Sequence, residues 1–301
     1  DLDGRHSPAG TVIITQAEGT GATAAAISKT INDGASKHGL VLYAVSRLPR
    51  GVVAAPLSER RIGLYRSWVA SMDEGWTRWA LDQFGFKYTT IRDADIRAGN
   101  LRLRFDAIIL PSQSAREILE GNQPGSYPQE YTAGIGAVGA TYLKAFVEAG
   151  GMLVTLGNAS DFAIEQLGLP IKNVLQGLSP SQFYCPGSIL RMTVDNTAAL
   201  AYGLPSEANA YFISGPAFET AANSPTPSRV RVIARYIDDP LQSGFLNGKE
   251  QIAGKVAMAE IQIGQGSVVL TSFRPQHRGQ PWGTFKLLFN ALYSLGPPPA
   301  Q

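Results

Sequence analysis

The sequence predicts an α/β protein built on a doubly wound, mostly parallel sheet that gains antiparallel strands in its C-terminal half. Three observations predict it. From Arg61 to Gly168, short β-rich runs alternate with segments of helical composition, the order that gives a parallel sheet covered by helices. One of those runs, Phe105-Asp106-Ala107-Ile108-Ile109-Leu110-Pro111, is almost continuously apolar, as in strands buried on both faces. After Pro170 the strand signals follow one another closely without long helices between them, which adds antiparallel strands.

The elements follow in order. Thr11-Val12-Ile13-Ile14-Thr15 is β-rich between Gly10 and Gly19. Residues 22–38 have helical composition, with Ile27 and Ile31 one turn apart and Gly39 as a stop. A second strand is expected over 40–45, and the Pro- and Gly-containing stretch 49–56 is the best internal boundary. Residues 1–59 therefore form a small α/β lead-in segment, and residues 60–295 the main domain. Gly19-Thr20-Gly21-Ala22-Thr23 lacks both the Lys-Ser/Thr pair of a P-loop and the dinucleotide glycine spacing. It reads as a helix-entry turn.

In the main domain, Arg61-Ile62-Gly63-Leu64-Tyr65 is a strand, and residues 73–84 form a helix burying Trp76, Trp79 and Ala80. Strands at 87–91 and 105–111 follow. The polar stretch 113–131 reads as a functional or mobile loop. A helix over 132–149 stops at Gly150-Gly151, ahead of strand Met152-Leu153-Val154-Thr155-Leu156. The sharp turn Gly157-Asn158-Ala159-Ser160-Asp161 leads into a helix over 162–168. Strands are expected at 188–194, 229–236, 256–263 and 266–272, the last two joined as a hairpin through Gly264-Gln265-Gly266. A closing helix spans 283–293, with Phe285, Leu288 and Leu292 on one stripe. Residues 296–301, rich in proline, read as a disordered tail.

The bulk numbers exclude several classes. Of 301 residues, 44% are hydrophobic and 17% charged, as in ordinary globular chains, and the net charge of +2 gives no footprint for nucleic acid. No apolar run reaches the roughly 20 residues of a membrane span. The single cysteine, Cys185, excludes an internal disulfide. A zinc site built from His and Cys alone would need His6, His38, His277 and Cys185 to converge. The chain opens on Asp1 without Met or signal peptide, and is expected to be a fragment or a processed form.

This order of elements, around Phe146-Val147-Glu148-Ala149-Gly150-Gly151-Met152-Leu153-Val154, resembles the class I glutamine-amidotransferase-like superfamily, from about Arg60 to Ser294. The resemblance implies a flavodoxin-like fold. The helix ending in Glu-Ala-Gly-Gly, followed by an apolar strand, is common in the superfamily's non-amidotransferase branches, such as trehalose-utilisation-type proteins and the trimerisation domain of some β-galactosidases. Three further segments carry a resemblance to the C-terminal region of bacterial zinc carboxypeptidase-like proteins, of the carboxypeptidase A type. They are Ser71-Met72-Asp73-Glu74-Gly75-Trp76-Thr77-Arg78-Trp79, Leu156-Gly157-Asn158-Ala159-Ser160-Asp161 and Phe273-Arg274-Pro275-Gln276-His277-Arg278-Gly279-Gln280. This implies an attached or neighbouring peptidase domain that carries the zinc, and a periplasmic or secreted setting. The zinc is expected only there: the His-x-x-Glu signature finds Ala9, Val41 and Gln280 three residues after the histidines. Homo-oligomerisation is a further expectation.

An active amidotransferase needs a cysteine on a strained strand-to-helix turn, a histidine base and an orienting carboxylate. The resemblance places the elbow at Gly157, Asn158, Ala159 and Ser160, with no cysteine among them. It places the His and Glu where this chain has Phe273-Arg274-Pro275-Gln276. Arginine is no base at neutral pH, and glutamine holds no charge. No catalytic residue is therefore expected. Two alternatives stay open: a hydrolase using Ser160 or Cys185 with His277, and a small anionic ligand bound by Arg274, Gln276, His277 and Arg278. Against the first, Ser160 reads as the cap of the following helix, and Cys185 as a buried structural thiol. Against the second, the arginines can pair with acidic residues or meet a neighbouring domain. Trp76, Trp79 and Trp282 read as core or interface residues.

Overall fold

The computed structural model describes residues 7–8, 10–14, 23–45, 57–221 and 228–295. The helix-entry turn at Gly19 to Ala22, the boundary at 49–56 and the tail at 296–301 lie outside them. The chain divides into two compact units, Leu57–Ser294 and a smaller one gathering Asp1–Pro56 with Leu295–Gln301.

In the smaller unit the described helix is Ala24–His38 (α1). Thr23 Oγ1 accepts from the Ala26 amide at 3.2 Å, and Gly39, in the left-handed region at φ 64°, ends it. The expected strands at 11–15 and 40–45 are corrected. Residues 11–14 and 40–45 carry no strand and are mostly exposed. Val, Ile and Leu favour a pleated surface only where a neighbouring strand supplies one.

The strands of the chain are Leu57–Glu59 (β1), Ile62–Tyr65 (β2), Tyr88–Ile91 (β3), Ala107–Leu110 (β4), Met152–Leu156 (β5), Ile171–Asn173 (β6), Ser188–Val194 (β7), Glu207–Phe212 (β8), Phe218–Thr220 (β9), Ser228–Ser243 (β10), Val256–Ile263 (β11), Gly266–Thr271 (β12) and Tyr293–Leu295 (β13), the first twelve within the larger unit. Its helices are Met72–Gln83 (α2), Asp93–Arg97 (α3), Leu101–Arg104 (α4), Ala115–Glu120 (α5), Gly136–Glu148 (α6), Ala159–Leu167 (α7) and Phe285–Leu292 (α8).

The main sheet runs β3-β2-β4-β5-β12-β11-β10-β7-β8. The first five strands are parallel and the rest antiparallel. The β11–β12 hairpin turns through Gly264 at φ 56°, where a β-carbon would meet Glu148 O at 2.6 Å. In chain order the parallel strands read 2-1-3-4-5, a doubly wound, flavodoxin-like arrangement with antiparallel additions.

Strand periodicity sends alternate side chains into two cores. Leu64, Ile109, Leu156 and Val269 join Leu81 of α2 and Leu287, Leu288 and Leu292 of α8 on one face. Tyr65, Ile108, Leu153 and Leu270 join α3 to α7 on the other. The buried stripe of α2 departs from expectation. It is Asp73, Glu74, Thr77, Ala80 and Leu81 that are buried, with Trp76 and Trp79 only half-buried. Asp73 and Thr77 turn inward to partners on the loop after β12, Arg274 and Gln276, while Glu74 pairs with Arg78 on its own helix. The stretch 113–131 is likewise more ordered than expected. It contains α5, whose Ser114 and Glu117 form a capping box.

Candidate functional site

The carboxyl ends of β2, β4, β5 and β12 lie side by side, and each runs into a loop carrying polar residues. The turn after β5 holds the expected elbow. Its one left-handed residue is Gly157, at φ 53°. A β-carbon there would lie 2.8 Å from Ser112 Oγ and 3.3 Å from Arg274 Cγ. The position at which this turn could present a nucleophile thus has no side chain, and its neighbours already fill the space. Ser112 Oγ accepts from the Asn158 amide at 3.2 Å, and Ala159 is buried at the start of α7.

Ser160 is not a cap. Helix α7 begins at Ala159, with Asn158 in the cap position and Ser160 inside the first turn. Its fully buried hydroxyl donates to Thr271 O at 3.1 Å and lies 2.9 Å from Thr155 Oγ1, bridging β5 and β12. Cys185 is buried too, with Sγ donating to Phe212 O at 3.8 Å. Burial pushes its thiol pKa up, away from the reactive thiolate. Neither side chain shares a hydrogen bond with His277.

The loop after β12 turns back onto α2. Arg274 Nη1 donates to Asp73 Oδ2 at 2.8 Å and Nη2 to Ile213 O at 2.8 Å; the two charged side chains are 14% and 9% exposed. Gln276 is buried and donates through Nε2 to Thr77 Oγ1 at 2.9 Å. The His277 ring stacks on Tyr211, with centroids 4.8 Å apart. Its Nδ1 lies 3.9 Å from Asp73 Oδ1, beyond hydrogen-bond reach. Burial, then the Arg274 charge, lowers the His277 pKa, so the ring is neutral near pH 7. Of Arg274, Gln276, His277 and Arg278, only Arg278 is exposed. Arg274 and Gln276 brace α2 against the end of β12, while His277 stacks on Tyr211 of β8.

A crevice that sequence reasoning did not single out lies at the end of β2, lined by Arg66, Ser67, Trp68, Ser71, Glu74 and Arg92 among others. The available signal was Arg66-Ser67-Trp68 directly after a buried strand. Arg66 follows β2 and Arg92 follows the neighbouring β3, so the crevice lies at the carboxyl ends of these two strands, on the other side of β2 from β4. Among the described residues, no group of three or more His, Cys, Asp or Glu side chains is placed to hold a metal ion. No described helix is long and apolar enough to cross a membrane.

The fold and site together define a doubly wound α/β domain whose elbow after β5 carries no cysteine. The sequence matches no protein-family model and no curated protein. Among solved structures, the chain is similar to PurLQS from Thermotoga maritima, at 18% identity and a TM-score of 0.47, covering 78% of this chain and 98% of that one. A cytoplasmic protein from Salmonella typhimurium gives 13% and 0.46, covering 77% and 97%. A β-galactosidase from Bacillus circulans gives 12% and 0.46, covering 78% of this chain but 31% of that one.

Proposed function

We propose that the unit Leu57–Ser294 is a non-catalytic amidotransferase-like accessory module, which docks against a zinc metallocarboxypeptidase-like domain and supports its assembly or substrate positioning. The observation that carries this reading is the pairing of Gly157 at the elbow with Arg274 at the end of the neighbouring strand. One has no side chain, and the other is an ion-paired cation with no basic lone pair. The peptidase partner rests on the three sequence segments given above. A docking surface is available where Phe84 and Trp282 stand exposed, Trp282 at 63%, beside Phe285 and Phe289. Exposed aromatic clusters of this kind favour interfaces.

Two measurements test the proposal. The chain should release no ammonia from glutamine and hydrolyse no ester or peptide above the buffer rate. Turnover that disappears in Ser160→Ala or Cys185→Ala would overturn it. Intact mass and N-terminal sequencing of the protein from its source decide the host. A longer polypeptide with a His-x-x-Glu zinc motif ahead of Asp1 supports the peptidase assignment, and a native start at Asp1 removes it.

A further inference from the structure

We propose that the crevice at the carboxyl end of β2 binds a small organic oxyanion, a carboxylate or a phosphate ester, between the guanidinium groups of Arg66 and Arg92. The crevice encloses about 270 Å³. That is several times the roughly 30 Å³ share of one water molecule, so it has room for an anionic head and a short organic body.

The charge arrangement singles out this place. Among the described residues, no carboxylate pairs with the side chain of Arg66 or Arg92. The acidic groups nearby are committed elsewhere. Glu74 is bonded to Arg78, and Asp93 accepts from Tyr65 Oη at 2.7 Å. Asp95 accepts from the Arg92 backbone amide at 2.8 Å. Arg92 donates one Nη to Arg66 O and Ser67 O, at 3.2 and 3.3 Å, and its guanidinium lies 3.7 Å from the centre of the Trp68 ring. Its plane is therefore held still, which suits fork-like recognition of a carboxylate or phosphate. Burial, and then the like charge of Arg66, lowers the Arg92 pKa, against the opposite charges of Glu74 and Asp93. An anion between the two arginines relieves that repulsion.

The walls fit an organic ligand. Trp68 supplies an apolar face and is itself gripped by the loop ahead of α6. Tyr131 packs edge-on to it at 4.7 Å, and Asn122 Nδ2 donates to Trp68 O at 3.4 Å. The start of α2 borders the crevice, but Asp73 and Glu74 already complement its first turn. The attraction comes from the guanidinium groups.

This inference is independent of the accessory reading, because it needs no partner domain and no catalysis. The test is thermal unfolding and calorimetric titration of the whole chain with inorganic phosphate and, separately, succinate, at an ionic strength held constant with sodium chloride. At least one anion should raise the melting temperature and titrate as a single site. The exposed side chain of Arg66 allows Arg66→Gln to fold as the parent does, verified by an unchanged anion-free melting temperature. Its affinity should fall about tenfold, the loss of one charge-assisted contact. Arg278→Gln, on the loop after β12, should bind as the parent does. Phosphate binding with succinate silent assigns a phosphate ester, and the reverse assigns a carboxylate. If neither anion shifts the parent, or if Arg66→Gln binds as tightly as the parent, the proposal is overturned.

Discussion

Replacing Arg274 by alanine tests whether the loop after β12 is an internal brace or an open site. In the folded chain Arg274 is 14% exposed and its partner Asp73 9% exposed. Removing the cation leaves Asp73 charged with little water, and leaves Ile213 O without its donor. Breaking one partner of a buried ion pair costs about 3–5 kcal/mol, against roughly 0–1 kcal/mol for a surface pair. The residual exposure puts Arg274→Ala near the lower end, at about 3 kcal/mol. For a domain of this size that lowers the melting temperature by roughly 6–12 °C. Urea unfolding followed by tryptophan fluorescence reads the loss directly, since Trp76 and Trp79 lie on the helix that the brace holds. The double replacement Asp73→Leu with Arg274→Met removes the stranded charge, and should restore more than half of the lost stability. A loss below about 1 kcal/mol for Arg274→Ala would refute the reasoning, because Asp73 would then be hydrated as in a surface pair.

Two further outcomes follow from the same region. Gly157→Ala forces an L side chain into the left-handed region and against Ser112 Oγ. It should cost about 1–3 kcal/mol in chemical denaturation, partly recovered by adding Ser112→Ala. Asp161 is pushed up to about 6, mainly by burial and further by the Glu165 charge, against the hydrogen bonds from Asn173. An unfolded aspartate titrates near about 3.9. The folded chain therefore holds this proton to higher pH, and stability falls as pH rises from about 4 to about 6. Asp161→Asn removes that slope, so its advantage in urea midpoint over the parent should be larger near about pH 7 than near about pH 4.

Much of the main domain was legible because its strands carry their own signal. Met152–Leu156, Ser188–Val194 and Val256–Ile263 are found at the residues where their apolar and β-branched runs place them. Strand Glu207–Phe212 was missed. It lies at the end of the sheet order and alternates weakly, with only Ala210 and Phe212 buried. Helices α3 and α4 span five and four residues, too few to show a period. The absence of cysteine from the elbow was plain in the sequence, but the fate of Arg274 was not. Its partner Asp73 is 201 residues away, and a helical pattern does not tell an inward carboxylate from a solvated one. The Arg66–Arg92 crevice was hidden for the same reason, since what distinguishes it is the diversion of Glu74, Asp93 and Asp95 to other partners.

The place of β12 in the sheet has a consequence for how the chain is made. This strand lies in the middle, parallel to β5 on one side and hairpin-paired with β11 on the other, and Ser160 reaches 111 residues along the chain to bond Thr271 O. A ribosome that has delivered β2 to β5 has delivered a half-sheet whose apolar edge strand has no neighbour on that side. Such an edge invites pairing with another chain until it is covered. Closure waits for residues near the end of the larger unit, a non-local pairing of the kind that slows folding. The vulnerable interval is the time taken to synthesise residues 157 to 271, during which Met152–Leu156 has to be shielded by α6, α7 or a chaperone.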